Sequence, residues 1–223
     1  MNNSCFIVLS TPNYEKIYKH FFFSLVGIGI DSKHIYHNLD NKLDNGTYKK
    51  EGFQTDLWYY CVSQKIKHFK TILKEKKNDY KYFFCCDCDI VFIYKNKHKW
   101  NELFNIIDND KNGIFYMREG IYEGINTGFA IIKQSYVENM IKIYDEVLKK
   151  MEITPRVEMP LGDQTIINNI KDKINFSYIP YIYVVFGWRI FNKNYALFHH
   201  AICSSKTKGK LNQINIIKNK LLM

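Results

Sequence analysis

Apolar residues along this chain come in short unbroken runs that alternate with stripes of apolar positions three and four residues apart. Residues 5–9 form such a run, stopped by Ser10-Thr11-Pro12-Asn13, which predicts a buried strand and then a turn. Residues 14–25 carry Ile17, Phe21 and Leu25 on one face and predict a helix. Residues 34–37 predict a weak second strand, and the polar stretch 40–52 a loop. Across residues 56–76, Val62, Ile66, Phe69 and Leu73 share a face, and the lysines are expected to fill the other. Residues 82–86 predict a central strand, with 90–93 continuing extended. Further on, a helix is predicted at 100–108, strands at 113–117 and 128–132, and a helix at 135–151 with Met140, Tyr144, Val147 and Met151 aligned. A short helix opens at Gly162-Asp163-Gln164, late strands are predicted at 176–179 and 196–199, and an amphipathic tail at 212–222. Strands alternating with helices predict an α/β fold with a parallel-rich sheet. In such sheets ligands bind outside the carboxyl ends of the strands, which is where the Ser10–Asn13 turn falls.

Composition adds little to this division. The 223 residues contain only 4 prolines, and no linker or repeat interrupts them, so one domain is expected over residues 1–210 with a helical tail over 211–223. The formal charge is +10, but only Arg118, Arg156 and Arg189 are arginines. Lysine, asparagine, isoleucine, tyrosine and phenylalanine are abundant together, as compositional bias would make them. Base recognition favours arginine, so no nucleic-acid partner is expected. No apolar run approaches the ~20 residues of a membrane-spanning helix, and the first ten residues lack the features of a signal peptide. Cys85, Cys86 and Cys88 share one predicted strand and point to alternate faces, so they are read as small buried hydrophobes and not as a thiolate cage. A soluble protein in a reducing, cytoplasmic compartment follows as the expectation.

The candidate chemistry begins inside the apolar run at residues 82–93. Asp87 and Asp89 sit there one residue apart. Ionised carboxylates in such a run need a partner, and two at a strand tip can converge on a divalent cation that bridges to phosphate. The structural alternative is a helix cap or a pair with lysine. Three further segments stand out. Asn126-Thr127-Gly128 combines amide donors and acceptors with close backbone approach, or is an ordinary turn. Gly162-Asp163-Gln164 places a carboxylate at a helix start, where it could also be an N-cap. His199-His200-Ala201 supplies an imidazole at a strand end; adjacent strand residues face opposite ways, so only one histidine can reach a given site. Trp188, between Gly187 and Arg189, is the tryptophan with the best prospect of meeting a ligand, whereas Trp58 and Trp100 read as core.

Taken in order, Asp87-Cys88-Asp89, Asn126-Thr127-Gly128, Gly162-Asp163-Gln164 and His199-His200-Ala201 resemble the motifs of nucleotide-sugar glycosyltransferases of the GT-A fold, in particular the small transferases of large DNA viruses. The resemblance covers about 200 residues. It implies a mixed, mostly parallel central sheet flanked by helices. It also implies transfer of a hexosyl or deoxyhexosyl group from a nucleotide-diphospho-sugar, a UDP-sugar by expectation, to a glycan or other hydroxyl acceptor. On this resemblance Asp89, Asp87 and His200 are candidate ligands for Mn²⁺ or Mg²⁺, with Asp87 also contacting ribose. Thr11 and Asn13 face the nucleotide, and Lys208 or Lys210, with Lys206 less favoured, meets the diphosphate. Thr55, Asp56 and Lys65 lie on a helix that approaches the donor. Asn126, Thr127, Gly128, Asp163 and Gln164 surround the sugar, and Asp163 is the catalytic candidate, followed by Glu123 and Glu119. The mixed donor set suits Mn²⁺ better than Mg²⁺.

Two other readings remain open at this point. Residues 83–91 also fit the D-x-D motif of haloacid-dehalogenase-type phosphatases, where Asp87 would be the nucleophile, although the later acidic pair of those enzymes is missing. A basic module for RNA or an anionic polymer would explain the charge alone.

Overall fold

A computed structural model of the protein describes residues 3–40, 54–119, 124–202 and 207–221. Residues 41–52 of the predicted loop, Glu123 and Lys206 lie outside them. In chain order the first half contains β1 (Ser4–Ser10), α1 (Glu15–Gly27), β2 (Ile35–Leu39), α2 (Asp56–Lys76), β3 (Tyr82–Asp87), β4 (Ile90–Phe92), α3 (Trp100–Asn109) and β5 (Ile114–Arg118). The second half contains β6 (Ile125–Lys133), α4 (Val137–Ile153), α5 (Asp163–Ile170), β7 (Ser177–Tyr178), β8 (Val184–Phe186), β9 (Arg189–Ile190), β10 (Phe198–His200) and α6 (Thr207–Leu221).

The main sheet has six strands in the order β2-β1-β3-β6-β5-β7. All neighbours run parallel except β6, which is antiparallel to both β3 and β5. Unbroken apolar runs become the strands covered on both faces: β1 is buried at every position, and β3 up to Cys86. The period of two then sorts the residues. Phe6, Val8, Phe84, Cys86, Phe129 and Ile131 enter one core, which α1 and α3 cover. Cys5, Ile7, Phe83, Cys85, Ala130 and Ile132 enter the other, beneath α2, α4 and α5. Phe6 stacks on Phe84 across the β1–β3 pair with ring centroids 4.5 Å apart.

A smaller four-stranded sheet, β4-β10-β8-β9, stands beyond the end of β3. The sequence reading had no strands at β8 and β9, which are only three and two residues long and flank Gly187 in an aromatic-rich stretch. β6 starts three residues earlier than expected, because Ile125 and Asn126 pair with Arg118 and Met117 beyond a register shift. α6 starts at Thr207 and not at residue 212, because its first turn is polar; the apolar stripe of Ile214, Ile217 and Leu221 begins only later. Among the described residues, no helix is long and apolar enough to cross a membrane.

Candidate active site

The acidic pair lies where the two sheets meet. β3 ends at Asp87, the chain turns through Cys88 and Asp89, and β4 leaves from Ile90. β10 pairs antiparallel to β4 with His200 opposite Ile90, which brings His200 alongside Asp89. The Ala201 N–H donates to Asp89 O at 3.1 Å and locks the turn to the strand. As a result, one ligand atom from each of Asp87, Asp89 and His200 lies within 4.8 Å of the others. His199 points the other way and donates from Nε2 to Gly187 O at 3.0 Å; burial pushes its imidazole down to about 4.

Two partly buried lysines balance the carboxylates. Lys210, on α6, forms an ion pair with Asp89 Oδ2 and sits 5.6 Å from the centre of the Tyr14 ring. Burial by itself would raise the Asp89 carboxyl, but Lys210 and then His200 outweigh it and hold the group well below the usual carboxylate range. Lys208 is exposed, so of the two described candidates Lys210 is the one that reaches the acidic pair. Lys65, on α2, bridges Asp87 Oδ1 at 3.1 Å and Asp163 Oδ2 at 3.0 Å. Burial would lower its ammonium, but Asp163 and Asp87 raise it above the ordinary lysine value. The expectation that the lysines of this helix all face away from its apolar stripe therefore fails at Lys65. It lies three residues after Val62 and four before Phe69, on the edge of the buried stripe, and that spacing was the available signal.

Asp163 is the first residue of α5 and not its N-cap. Gly162 caps the helix with φ of +54°, a conformation that favours glycine, and a Cβ there would meet Trp58 at 3.1 Å. Asn126, Thr127 and Gly128 lie within β6 and not in a turn before it. The β5–β6 register shifts between Tyr116 and Met117, so β6 bulges there. The bulge puts Gly128 against the acidic pair: a Cβ built on it would lie 2.5 Å from His200 Cε1 and 2.9 Å from Asp87 Oδ2. Glu119, ranked behind Asp163 on sequence, accepts hydrogen bonds from Asn126 Nδ2 at 2.5 Å and Gln164 Nε2 at 3.0 Å.

Thr11 and Asn13 occupy the turn after β1, whose Leu9 pairs with Asp87, so the turn adjoins the same strand ends. Thr55 caps α2 by accepting from Trp58 N at 3.3 Å, and Asp56 pairs with Arg156 away from the acidic cluster. Trp188 is 51% exposed in the β8–β9 turn, while Trp100 is buried in the core.

The cluster fits a divalent cation on its own geometry. Asp89 Oδ1 is buried, has no hydrogen-bond partner among the described residues, and faces His200 Nε2 at 3.3 Å. The Lys210 ammonium already stands against Asp89 as a positive charge, and the missing Gly128 side chain leaves room beside the donors. His200 Nδ1 has no hydrogen-bond partner among the described residues, so its ring is oriented by packing against Phe186, 5.8 Å away.

No protein-family model matches this chain, and no curated protein sequence does. Solved structures do. A glycosyltransferase involved in glycosylation of the major capsid of PBCV-1 superposes with a TM-score of 0.61 at 18% identity, over 95% of this chain and 99% of that one. Mouse xyloside xylosyltransferase 1 gives 0.55 at 10% identity, over 91% of this chain and 98% of that one. The glycosyltransferase GlyE of Streptococcus pneumoniae TIGR4 gives 0.52 at 14% identity, over all of this chain and 63% of that one. Two packed sheets, a six-stranded core flanked by helices, and superposition along nearly the whole chain give this protein the GT-A fold of the glycosyltransferases.

Proposed function

We propose that the protein is a metal-dependent glycosyltransferase that moves a hexosyl or deoxyhexosyl group from a UDP-sugar to a hydroxyl of a glycan or glycoprotein. The observation that carries this reading is the Asp87–Asp89–His200 cluster at the carboxyl ends of β3 and β10, with Asp89 and His200 buried and Asp87 partly so. It occurs in a chain with a glycosyltransferase fold. A bound Mn²⁺ would supply positive charge to the diphosphate as it leaves, held by Asp87, Asp89 and His200. Lys210 is assigned to the same diphosphate: its ammonium neutralises Asp89 until a phosphate competes for it. Thr11 and Asn13 are assigned to the nucleoside, with Asp87 toward the ribose.

Asn126, Thr127, Gly128 and Gln164 are assigned to the sugar. Asp163 is assigned the acceptor or donor hydroxyl; Lys65 engages its Oδ2, and its second oxygen takes no part in that pair. The match to a glycosyltransferase involved in glycosylation of a major capsid makes a capsid protein the first acceptor to try. A cytoplasmic site of action fits the five described cysteines, all free thiols. The phosphatase and basic-module readings have no comparable support from the fold.

Thermal unfolding with a panel of nucleotide-sugars, each with and without Mn²⁺, tests the reading, because a ligand that binds the native state raises its midpoint. A shift with a UDP-sugar that requires Mn²⁺ is expected. Asp89→Ala should remove that shift and cut UDP-sugar hydrolysis or transfer by about 10²- to 10³-fold. Undiminished activity in Asp89→Ala, with native circular dichroism, would mean that the metal assignment is wrong.

A further inference from the structure

We propose that Glu119 is a positioning residue for the transfer reaction, holding the bulge of β6 in the shape that seats Gly128 against Asp87 and His200. The proposal rests on the transferase reading above. Glu119 follows β5, and its backbone N–H donates to Gly124 O at 2.8 Å. That backbone bond ties the two strands together without help from the side chain. The carboxylate is used elsewhere: its Oε2 accepts from both Asn126 Nδ2 and Gln164 Nε2.

A carboxylate only accepts, so it dictates which end of each amide faces it. The amide oxygens are thereby turned onto the bulge. Asn126 Oδ1 accepts from Gly128 N at 3.0 Å, and Gln164 Oε1 accepts from Thr127 N at 3.3 Å. Flipping either amide would set an NH₂ group against a backbone N–H. Asn168 adds a clamp on the preceding residue: its Oδ1 accepts from Ile125 N and its Nδ2 donates to Ile125 O, both at 2.8 Å. One carboxylate thus fixes two amides, which fix two successive backbone N–H groups. Those groups place a glycine whose surroundings leave no space for a Cβ. A small shift of the bulge would reach Asp87 and His200 directly. Glu119 does not itself touch the acidic pair in this arrangement, so its effect on the metal is exerted through the bulge.

The test titrates Mn²⁺ against the full chain in the presence of UDP, with free Mn²⁺ read by electron paramagnetic resonance. Ligand-free thermal unfolding is measured in parallel. Glu119→Ala is expected to weaken Mn²⁺ binding by about 10- to 100-fold, the range for losing a group that supports metal ligands. Its ligand-free midpoint should fall only modestly, since two amide donors lose their shared acceptor while the backbone bond to Gly124 remains. Glu119→Gln should recover most of the affinity, because its amide oxygen can still accept from both neighbours. Wild-type Mn²⁺ affinity in Glu119→Ala overturns the proposal, and so does an equal loss in Glu119→Ala and Glu119→Gln. Should Glu119→Ala fail to fold, Glu119→Asp takes its place; its shorter carboxylate cannot span both amides, and affinity equal to wild type would again overturn the proposal. If wild type itself binds no Mn²⁺ with UDP, the transferase reading fails first; if wild type binds and Glu119→Ala matches it, only the role of Glu119 fails.

Discussion

Lysine–carboxylate pairs occur in two settings in this molecule, and they are built for different ends. On the surface, Lys77 pairs with Glu138 at 2.8 Å, with their side chains 47% and 60% exposed. At the strand ends, Lys65 pairs with Asp163 at 3.0 Å with exposures of 12% and 4%. The chemistry is the same, but water screens the first pair and is largely absent from the second. Buried pairs seldom stabilise a fold better than apolar residues of the same size would. Three carboxylates and two ammonium groups gathered at the end of a sheet are therefore better explained by what they bind than by folding.

That contrast can be broken by removing one partner at a time. The largest effect is expected for Lys65→Met, which strands Asp87 and Asp163 without their cation. Stability should fall by about 3–5 kcal/mol in urea unfolding at pH 7. A loss no larger than that of Lys77→Ala would mean that the strand-end cluster is as hydrated as the surface.

Lys210→Met comes next. It removes the internal positive charge from Asp89, and Mn²⁺ alone should then raise the unfolding midpoint more than it does in wild type. Mn²⁺ together with UDP should raise it less, because a phosphate partner has gone. An unchanged response to both would separate Lys210 from the metal and the diphosphate.

A smaller effect belongs to a half-buried group without a counter-charge. Burial pushes the His37 imidazole, bonded to Ser10 Oγ at 2.7 Å, down to about 4. The unfolded chain, with an ordinary value of 6.5, binds a proton between these limits when the native state does not. Stability should therefore be full above pH 6.5 and decline as pH falls toward 4. His37→Asn should flatten that part of the curve, read from urea midpoints at pH 7 and pH 5. Lys77→Ala is the smallest change, with an expected midpoint indistinguishable from wild type.

Much of the fold was legible in the sequence because each strand and helix is a local pattern. The run before Asp87, the stripe Val62–Ile66–Phe69–Leu73 and the turn after Ser10 all lie where the alternation of apolar and polar residues placed them. The candidate site was legible in its motifs but not in its pairings. Helical periodicity put Lys65 with the other lysines on the face opposite the stripe, and the resemblance put its helix toward the donor, but neither showed that it joins Asp87 to Asp163. Glu119 was a lesser candidate for a base because nothing local showed that Asn126 and Gln164 converge on it.

The chain by itself determined the strand tip that carries Asp87 and Asp89, since an apolar run interrupted by two carboxylates has few stable placements. It also determined that a single histidine of the adjacent pair could face them, since neighbours on a strand point to opposite sides. The resemblance named His200 for that place, and only the tertiary structure shows why: β10 pairs with β4 so that His200 lies alongside Asp89 while His199 turns to Gly187 O. The tertiary structure also decided that Lys210, 121 positions from Asp89, closes the site and that a bulge in β6 brings Gly128 beneath it. Those outcomes depend on strand order and register, which are set by how two cores pack against one sheet and are not written in any local window of sequence.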